Sequence, residues 1–92
     1  MKEEKRKFIP NNLRRCRKVR GLTQRQVAEI MDLKSTAMIS RWEQGQCLPE
    51  TPNLGRLAGV YRTSTDALLP EYFRELHRQM VHKEEMIIIK QN

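Results

Sequence analysis

From residue 10 to residue 70 the chain is punctuated by helix start and stop signals spaced so closely that only short helices fit between them. Pro10-Asn11-Asn12 offers an N-cap at Asn11 or Asn12. Leu13, Cys16, Arg17 and Arg20 then recur at three- and four-residue spacing up to Gly21, which suits the left-handed residue that closes a helix. Thr23 opens a second helix, and Gln26 completes a capping box of the Thr-x-x-Gln kind. Its apolar stripe is Val27, Ala28 and Met31, and Asp32-Leu33-Lys34 makes a turn. Ser35 caps a third helix carrying Met38, Ile39 and Trp42, which stops at Gly45. Thr51 followed by Pro52 is a cap with proline at the first helical position. The helix it opens has Leu54, Leu57, Ala58 and Tyr61 on one face, and its Gly55 and Gly59 are spaced for close helix approach. Ser64 caps a short helix through Leu68 and Leu69. Pro70 then admits a longer amphipathic stretch with Tyr72, Phe73, Leu76, Met80 and Val81 inward, and Met86 to Ile89 reads as a short β-prone run. The expected fold class is all-α, with five or six helices.

Composition narrows this further. Ninety-two residues at 38% hydrophobic support one small core. No apolar run approaches the roughly 20 residues of a membrane-spanning helix, and 5% aromatic residues do not suit a sandwich or barrel. Cys16 and Cys47 cannot form a disulfide framework or a zinc quartet; Cys16 is expected in the core and Cys47 in an exposed loop. The charged start, with no apolar segment behind it, is not a secretory signal, so a cytoplasmic protein with reduced thiols is expected. His77 and His82 are five apart and do not share a helix face as a metal-binding pair would. There is no Gly-rich phosphate loop or nucleophile elbow. No enzyme, metal or cofactor is expected.

The charge is concentrated. Residues 1–20 hold nine Lys and Arg against Glu3 and Glu4, whereas residues 21–48 hold three of each sign and residues 49–92 six of each. The whole formal excess of +7 therefore lies in the first twenty residues. Such a patch suits a polyanion, nucleic acid or anionic lipid. A solvated tail is the plainer alternative.

Two short helices joined by a tight turn between Thr23 and Gly45 describe a helix-turn-helix. Ala28 is small where the two helices cross, and Ile39 and Trp42 hold the second against the core. The other face of that helix presents Thr36, Ala37, Ser40, Arg41 and Gln44. Short or hydrogen-bonding side chains of this kind suit base edges in a major groove; the alternative is an ordinary solvated face.

From Leu13 to Leu69 the sequence resembles the Cro/repressor (Xre-type) helix-turn-helix family. The resemblance is carried by Leu13-x-x-Cys16-Arg17, Gly21-Leu22-Thr23-Gln24, Val27-Ala28 and Ile39-Ser40-Arg41-Trp42-Glu43-x-Gly45. Pro49, Leu57-Ala58 and Ser64-x-Asp66-x-Leu68-Leu69 follow at familiar distances. It implies a compact five-helix lambda-repressor-like domain, here with an additional C-terminal amphipathic helix. By position it implies an ion pair between Arg17 and Glu43, base contacts from Thr36, Ala37, Ser40 and Arg41, and phosphate contacts from Gln24, Arg25, Lys34 and Gln46. Two features depart from the family pattern. The turn between the second and third helices is one residue longer and has Asp32 where the family has glycine. The loop Gln46-Cys47-Leu48 lacks the usual cations, for which the basic first twenty residues would compensate.

The expected division is a basic arm over residues 1–10, a helix-turn-helix domain over 11–69, and a C-terminal helix and tail over 70–92. The expected function is a DNA-binding transcriptional regulator, a repressor, on double-stranded DNA. One recognition helix reads only a few base pairs, so a homodimer on a palindromic operator is expected. Residues 70–92 are too hydrophobic on one face for a free tail. They either form the dimer contact or fold back on their own core. The alternative function is an antitoxin-type subunit that binds a partner protein through residues 70–92, with Met86 to Ile89 adding a strand or clasp, and autoregulates its operon. An adaptor without DNA binding is disfavoured by the N-terminal charge. No membrane partner is expected.

Overall fold

The computed structural model describes residues 8–91, and among them are six α-helices and no strand. In chain order these are α1 (Leu13–Val19), α2 (Gln24–Ile30), α3 (Ala37–Glu43), α4 (Thr51–Tyr61), α5 (Thr65–Leu68) and α6 (Pro70–Gln91). The fold is all-α, a helix-turn-helix domain followed by a C-terminal helix. Most of the expected basic arm, including Lys2, Lys5, Arg6 and Lys7, lies outside the described residues.

The helix starts follow the chemistry of their caps. The Thr23 hydroxyl accepts from the Gln26 amide at 3.1 Å, and the Gln26 side-chain oxygen accepts from the Thr23 amide at 2.9 Å, so both halves of the capping box are made. Ser64 accepts from the Ala67 amide at 3.1 Å. Asn12 holds the N-cap position of α1, yet its side chain donates to the Ala67 carbonyl instead. Asn11 accepts from the Leu13 amide and donates to the Trp42 carbonyl, tying the start of α1 to the end of α3. Ser35 accepts from the Ala37 amide at 3.2 Å while Thr36 takes the N-cap position, so α3 begins later than a Ser35 cap predicts. By contrast α4 begins one residue earlier than a Thr51 cap predicts, at Thr51 with Glu50 as N-cap, and no side chain closes that end.

Four helix ends share one device. Gly21, Asp32, Gly45 and Arg62 all have left-handed backbone, with φ of 71°, 58°, 70° and 57°. In each case the next amide reaches back to a carbonyl five residues earlier: Leu22 to Arg17, Leu33 to Ala28, Gln46 to Arg41 and Thr63 to Ala58. These bonds satisfy carbonyls that the helix itself leaves open. Leu22 and Leu33, just past two of the closures, pack on the core.

That core is Leu13, Val27, Ala28, Ile39, Trp42, Leu54, Leu57, Ala58, Tyr61, Leu68 and Leu69, drawn from α1 to α5 and the residue after α5. Full burial of a leucine-sized side chain contributes about 1.5–3 kcal/mol, so the short helices are held by packing far more than by propensity. Cys16 is half-buried at its edge, and burial pushes its thiol up, opposed by the Arg15 charge. Cys47 is also half-buried and packs on the core, where an exposed loop position was expected.

Three further expectations are corrected. Met86 to Ile89 is helical, inside the 22-residue α6. A strand there would have no neighbour to pair with, whereas isoleucine in a helix gives up only a few tenths of a kcal/mol. Of the residues expected inward on this helix, Tyr72 and Phe73 are half-buried against the core and pack edge to face at 5.4 Å. Leu76, Met80 and Val81 are exposed, so the helix does not fold back on its own core. Instead α6 runs off the body: the radius of gyration is 16.7 Å, against about 12 Å for a compact chain of this length. Finally, Gly55 and Gly59 face open space, with no atom within 4 Å of where a Cβ would stand, so they mediate no close helix approach.

The glycines of this fold should therefore respond in opposite directions. A Cβ at Gly45 would stand 2.5 Å from Cδ1 of Phe8 and 2.7 Å from the Ile9 carbonyl, at a φ of 70°. Gly45→Ala should lower stability by roughly 1–3 kcal/mol. Gly55→Ala, in a helix interior with room for a methyl group, should raise it by about 0.5–1 kcal/mol. Urea titrations of the two variants check both signs.

Candidate nucleic-acid interface

At the centre of the domain a buried guanidinium meets a buried carboxylate. Arg17 on α1, 8% exposed, donates from Nε to Glu43 Oε2 at 2.6 Å and from Nη2 to Glu43 Oε1 at 3.1 Å. Its remaining nitrogen, Nη1, donates to the Leu22 carbonyl at 2.9 Å. Gln24, the first residue of α2, donates from Nε2 to Glu43 Oε1 at 3.0 Å. Four groups from α1, the turn after it, α2 and the end of α3 thus converge on one fork. The hydrogen bonds to Glu43 hold the Arg17 guanidinium above its ordinary range, against the opposing effect of burial. Tyr61 lies nearby with its hydroxyl buried and unpartnered among the described residues. Burial, then the Glu43 charge, pushes that hydroxyl well above the usual tyrosine range.

The fork fixes how α3 lies against α1 and α2, with Ala28 4% exposed beside them. The buried side of α3 is Ile39 and Trp42. Its outward side presents Ala37, Met38, Arg41 and Gln44 exposed, with Thr36 and Ser40 half-buried between them. Arg41 is the only cation from Thr36 to Gln44. Its Nη1 rests on the Met38 sulfur at 3.7 Å, and it makes no other hydrogen bond among the described residues, so most of its five donors are open. Ser40, Gln44 and Gln46 form a chain: Gln44 donates to the Ser40 hydroxyl at 3.0 Å, and Gln46 donates to Gln44 at 2.6 Å.

Two clefts flank this face. One, of about 240 Å³, is lined by Arg14, Arg17, Gln24, Ser40, Glu43 and Gln44. An amide nitrogen carries two donors, so Gln24 keeps one N–H beyond its bond to Glu43. The other cleft, of about 350 Å³, brings together Arg25, Ala28, Glu29, Leu33, Lys34, Ser35 and Thr36. The residues expected to touch DNA therefore fall in four places. Gln24 and Ser40 share the first cleft, Arg25, Lys34 and Thr36 share the second, Ala37 and Arg41 lie on the exposed face of α3, and Gln46 lies exposed just past that helix, bonded to Gln44.

Two participants on this surface were missed from sequence. Arg14 stands one helical turn before the Arg17 stripe and reads as an ordinary exposed helix residue. Only its place at the rim of the first cleft makes it a neighbour of Gln24. Met38 sits beside Ile39 in sequence and reads as apolar filling, yet it is 37% exposed and carries the Arg41 side chain. Among the described residues no group of three or more His, Cys, Asp or Glu side chains is placed to hold a metal ion, and no helix is long and apolar enough to cross a membrane.

A small helical body that presents one short polar helix, braced from behind and flanked by cations, is the architecture of a helix-turn-helix DNA-binding domain. The family model described as helix-turn-helix domain matches residues 11–71, about two-thirds of the chain, and the chain belongs to that family. No curated protein and no solved structure matches the chain.

Removing one partner of a buried ion pair leaves the other charge stranded. Glu43→Ala should lower the unfolding free energy by about 3 kcal/mol, as Arg17 loses both carboxylate contacts and keeps only the Leu22 carbonyl. Glu43→Gln, which retains an acceptor, should lose less. Chemical denaturation of both variants checks the order.

Proposed function

We propose that the protein is a sequence-specific transcriptional regulator of the Cro/Xre type, a repressor that binds a palindromic operator in double-stranded DNA as a homodimer in the cytoplasm. The observation that carries this reading is the outward face of α3. Apart from Met38, its exposed and half-buried side chains are short or hydrogen-bonding, and its one cation has free donors among the described residues. In this reading Arg41 reads a guanine through its O6 and N7, Ala37 meets a thymine methyl, and Thr36 and Ser40 complete the base contacts. Gln24, Arg25, Lys34 and Gln46 hold phosphates on either side, with Arg14 added at the first cleft. The cations of residues 1–7 add phosphate contacts of their own. No cofactor or catalytic step is needed. The bare apolar side of α6 supports the homodimer. The same observation also supports an antitoxin-type subunit that offers this helix to a different protein.

Selection from a random DNA pool should enrich a palindrome; enrichment of no sequence would sink the reading. On the selected site, Arg41→Ala should lose roughly 1–3 kcal/mol and relax discrimination at one base pair. Lys34→Ala should weaken binding to all sequences alike and reduce the slope of log affinity against log salt by about 0.9. The two variants together separate base reading from phosphate holding.

If α6 carries the dimer contact, a chain ending at Arg74 keeps Tyr72 and Phe73 on the core and should remain folded. It should sediment as a monomer and bind the palindrome more weakly than the whole chain. A truncated chain that still sediments as a dimer would place the contact elsewhere.

A further inference from the structure

Beyond Phe73 no described residue covers α6: every residue from Arg74 to Lys90 is exposed. Val81, Met86, Ile88 and Ile89 spread around it, but three of its exposed apolar residues share one line. Phe73, Leu76, Met80, Lys83, Ile87 and Lys90 follow one another at alternating steps of three and four, the spacing of a seam between two helices. Leu76, Met80 and Ile87 on this seam are 37%, 57% and 56% exposed.

We infer that α6 pairs with α6 of a second copy in antiparallel orientation, with Leu76 of each chain against Ile87 of the other. This rests on the homodimer reading above and adds the direction and register of the contact. The two lysines of the seam decide the direction. A parallel, in-register pair sets each seam residue against itself, so that Lys83 faces Lys83 and Lys90 faces Lys90. Like charges in direct opposition disfavour that pairing. Reversing one helix about the level of residues 81 and 82 sets Phe73 against Lys90, Leu76 against Ile87, and Met80 against Lys83. Every lysine then meets an apolar partner. The Lys83 stem lies along Met80 and the Lys90 stem beside the half-exposed Phe73, each with its ammonium in water.

The edge of the seam agrees. His77 and Glu84 lie on the same side of it, seven positions apart. The antiparallel register brings His77 of one copy beside Glu84 of the other, twice per dimer. In the parallel pairing their neighbours are Tyr72 and Gln79, and neither carries a charge to set against Glu84. The geometry also matches the DNA. Overlap from residue 73 to residue 90 is roughly 27 Å of helix, and it throws the two helix-turn-helix bodies to opposite ends. That separation is of the same order as the 34–36 Å between successive half-sites on one face of a duplex.

Cross-linking tests the register directly. In a background with Cys16→Ser and Cys47→Ser, Leu76→Cys and Ile87→Cys are made as separate single variants; both positions are exposed in the folded chain. Mixed under oxidising conditions, they should give a covalent dimer carrying one chain of each kind, while either variant alone stays monomeric on a non-reducing gel. Cross-links within each single variant would overturn the antiparallel direction and leave the homodimer standing. A chain that sediments as a dimer yet cross-links in none of the three samples would overturn α6 pairing. A whole chain that sediments as a monomer throughout would instead sink the homodimer reading itself. The native-cysteine chain provides a second measure. Glu84→Lys should weaken the dimer by about two- to fivefold, and adding His77→Glu should restore it. Failure of the second change to restore it would likewise count against the register.

Discussion

The Arg17–Glu43 fork is the interaction on which the rest of this domain depends. Helices of seven residues such as α1, α2 and α3 are too short to persist alone in water, so their mutual angles must come from contacts between them. Van der Waals packing of Leu13, Val27 and Ile39 supplies most of the free energy, but apolar contacts alone tolerate sliding. A planar guanidinium against a carboxylate does not: two parallel N–H···O bonds fix distance and direction together. By taking the Gln24 amide and the Leu22 carbonyl into the same network, the fork aligns the entrance of α2 with the exit of α3. The outward face of α3 is consequently held by groups behind it, and its own polar side chains bond only within that face and to the adjoining Gln46 among the described residues.

Much of this was legible in the sequence, for reasons that differ from residue to residue. Thr23 with Gln26, and Ser64, announce helix starts because a cap is a local bond between near neighbours. Gly21 and Gly45 announce ends because left-handed backbone suits glycine. Arg62 takes the same conformation without announcing it, since an arginine there is tolerated only because Thr63 and Ala58 close the turn around it. Asp32 shows that the one-residue-longer turn is absorbed in the same way, by a short polar side chain that accepts a positive φ at modest cost.

The site was less legible than the fold. Arg17 and Glu43 come together across 26 positions, and only the family resemblance suggested the pairing; the distances state it. Arg14 and Met38 were missed because their roles depend on which way a helix faces at a particular level. The sequence leaves the fate of α6 open for a related reason. Amphipathic periodicity shows that a helix has an apolar side, but it does not say whether that side is met by the same chain. Here Tyr72 and Phe73 are met and Leu76 onward are not, because the helix axis departs from the body after its first turn. Met86 to Ile89, β-prone residue by residue, stays helical because the helix it continues is already formed.

The shared closures at Gly21, Asp32, Gly45 and Arg62 bear on how quickly such a chain can fold. Each closure is a bond between residues five apart, so a helix end can be set before any distant partner arrives. Order of this local kind has little loop entropy to overcome. What remains for the slower, non-local stage is to dock units whose boundaries are already defined, and the contact that joins α1 to α3 across 26 residues is the natural last step. The folding barrier should then reside in assembling the apolar centre, with the charged fork locking it afterwards.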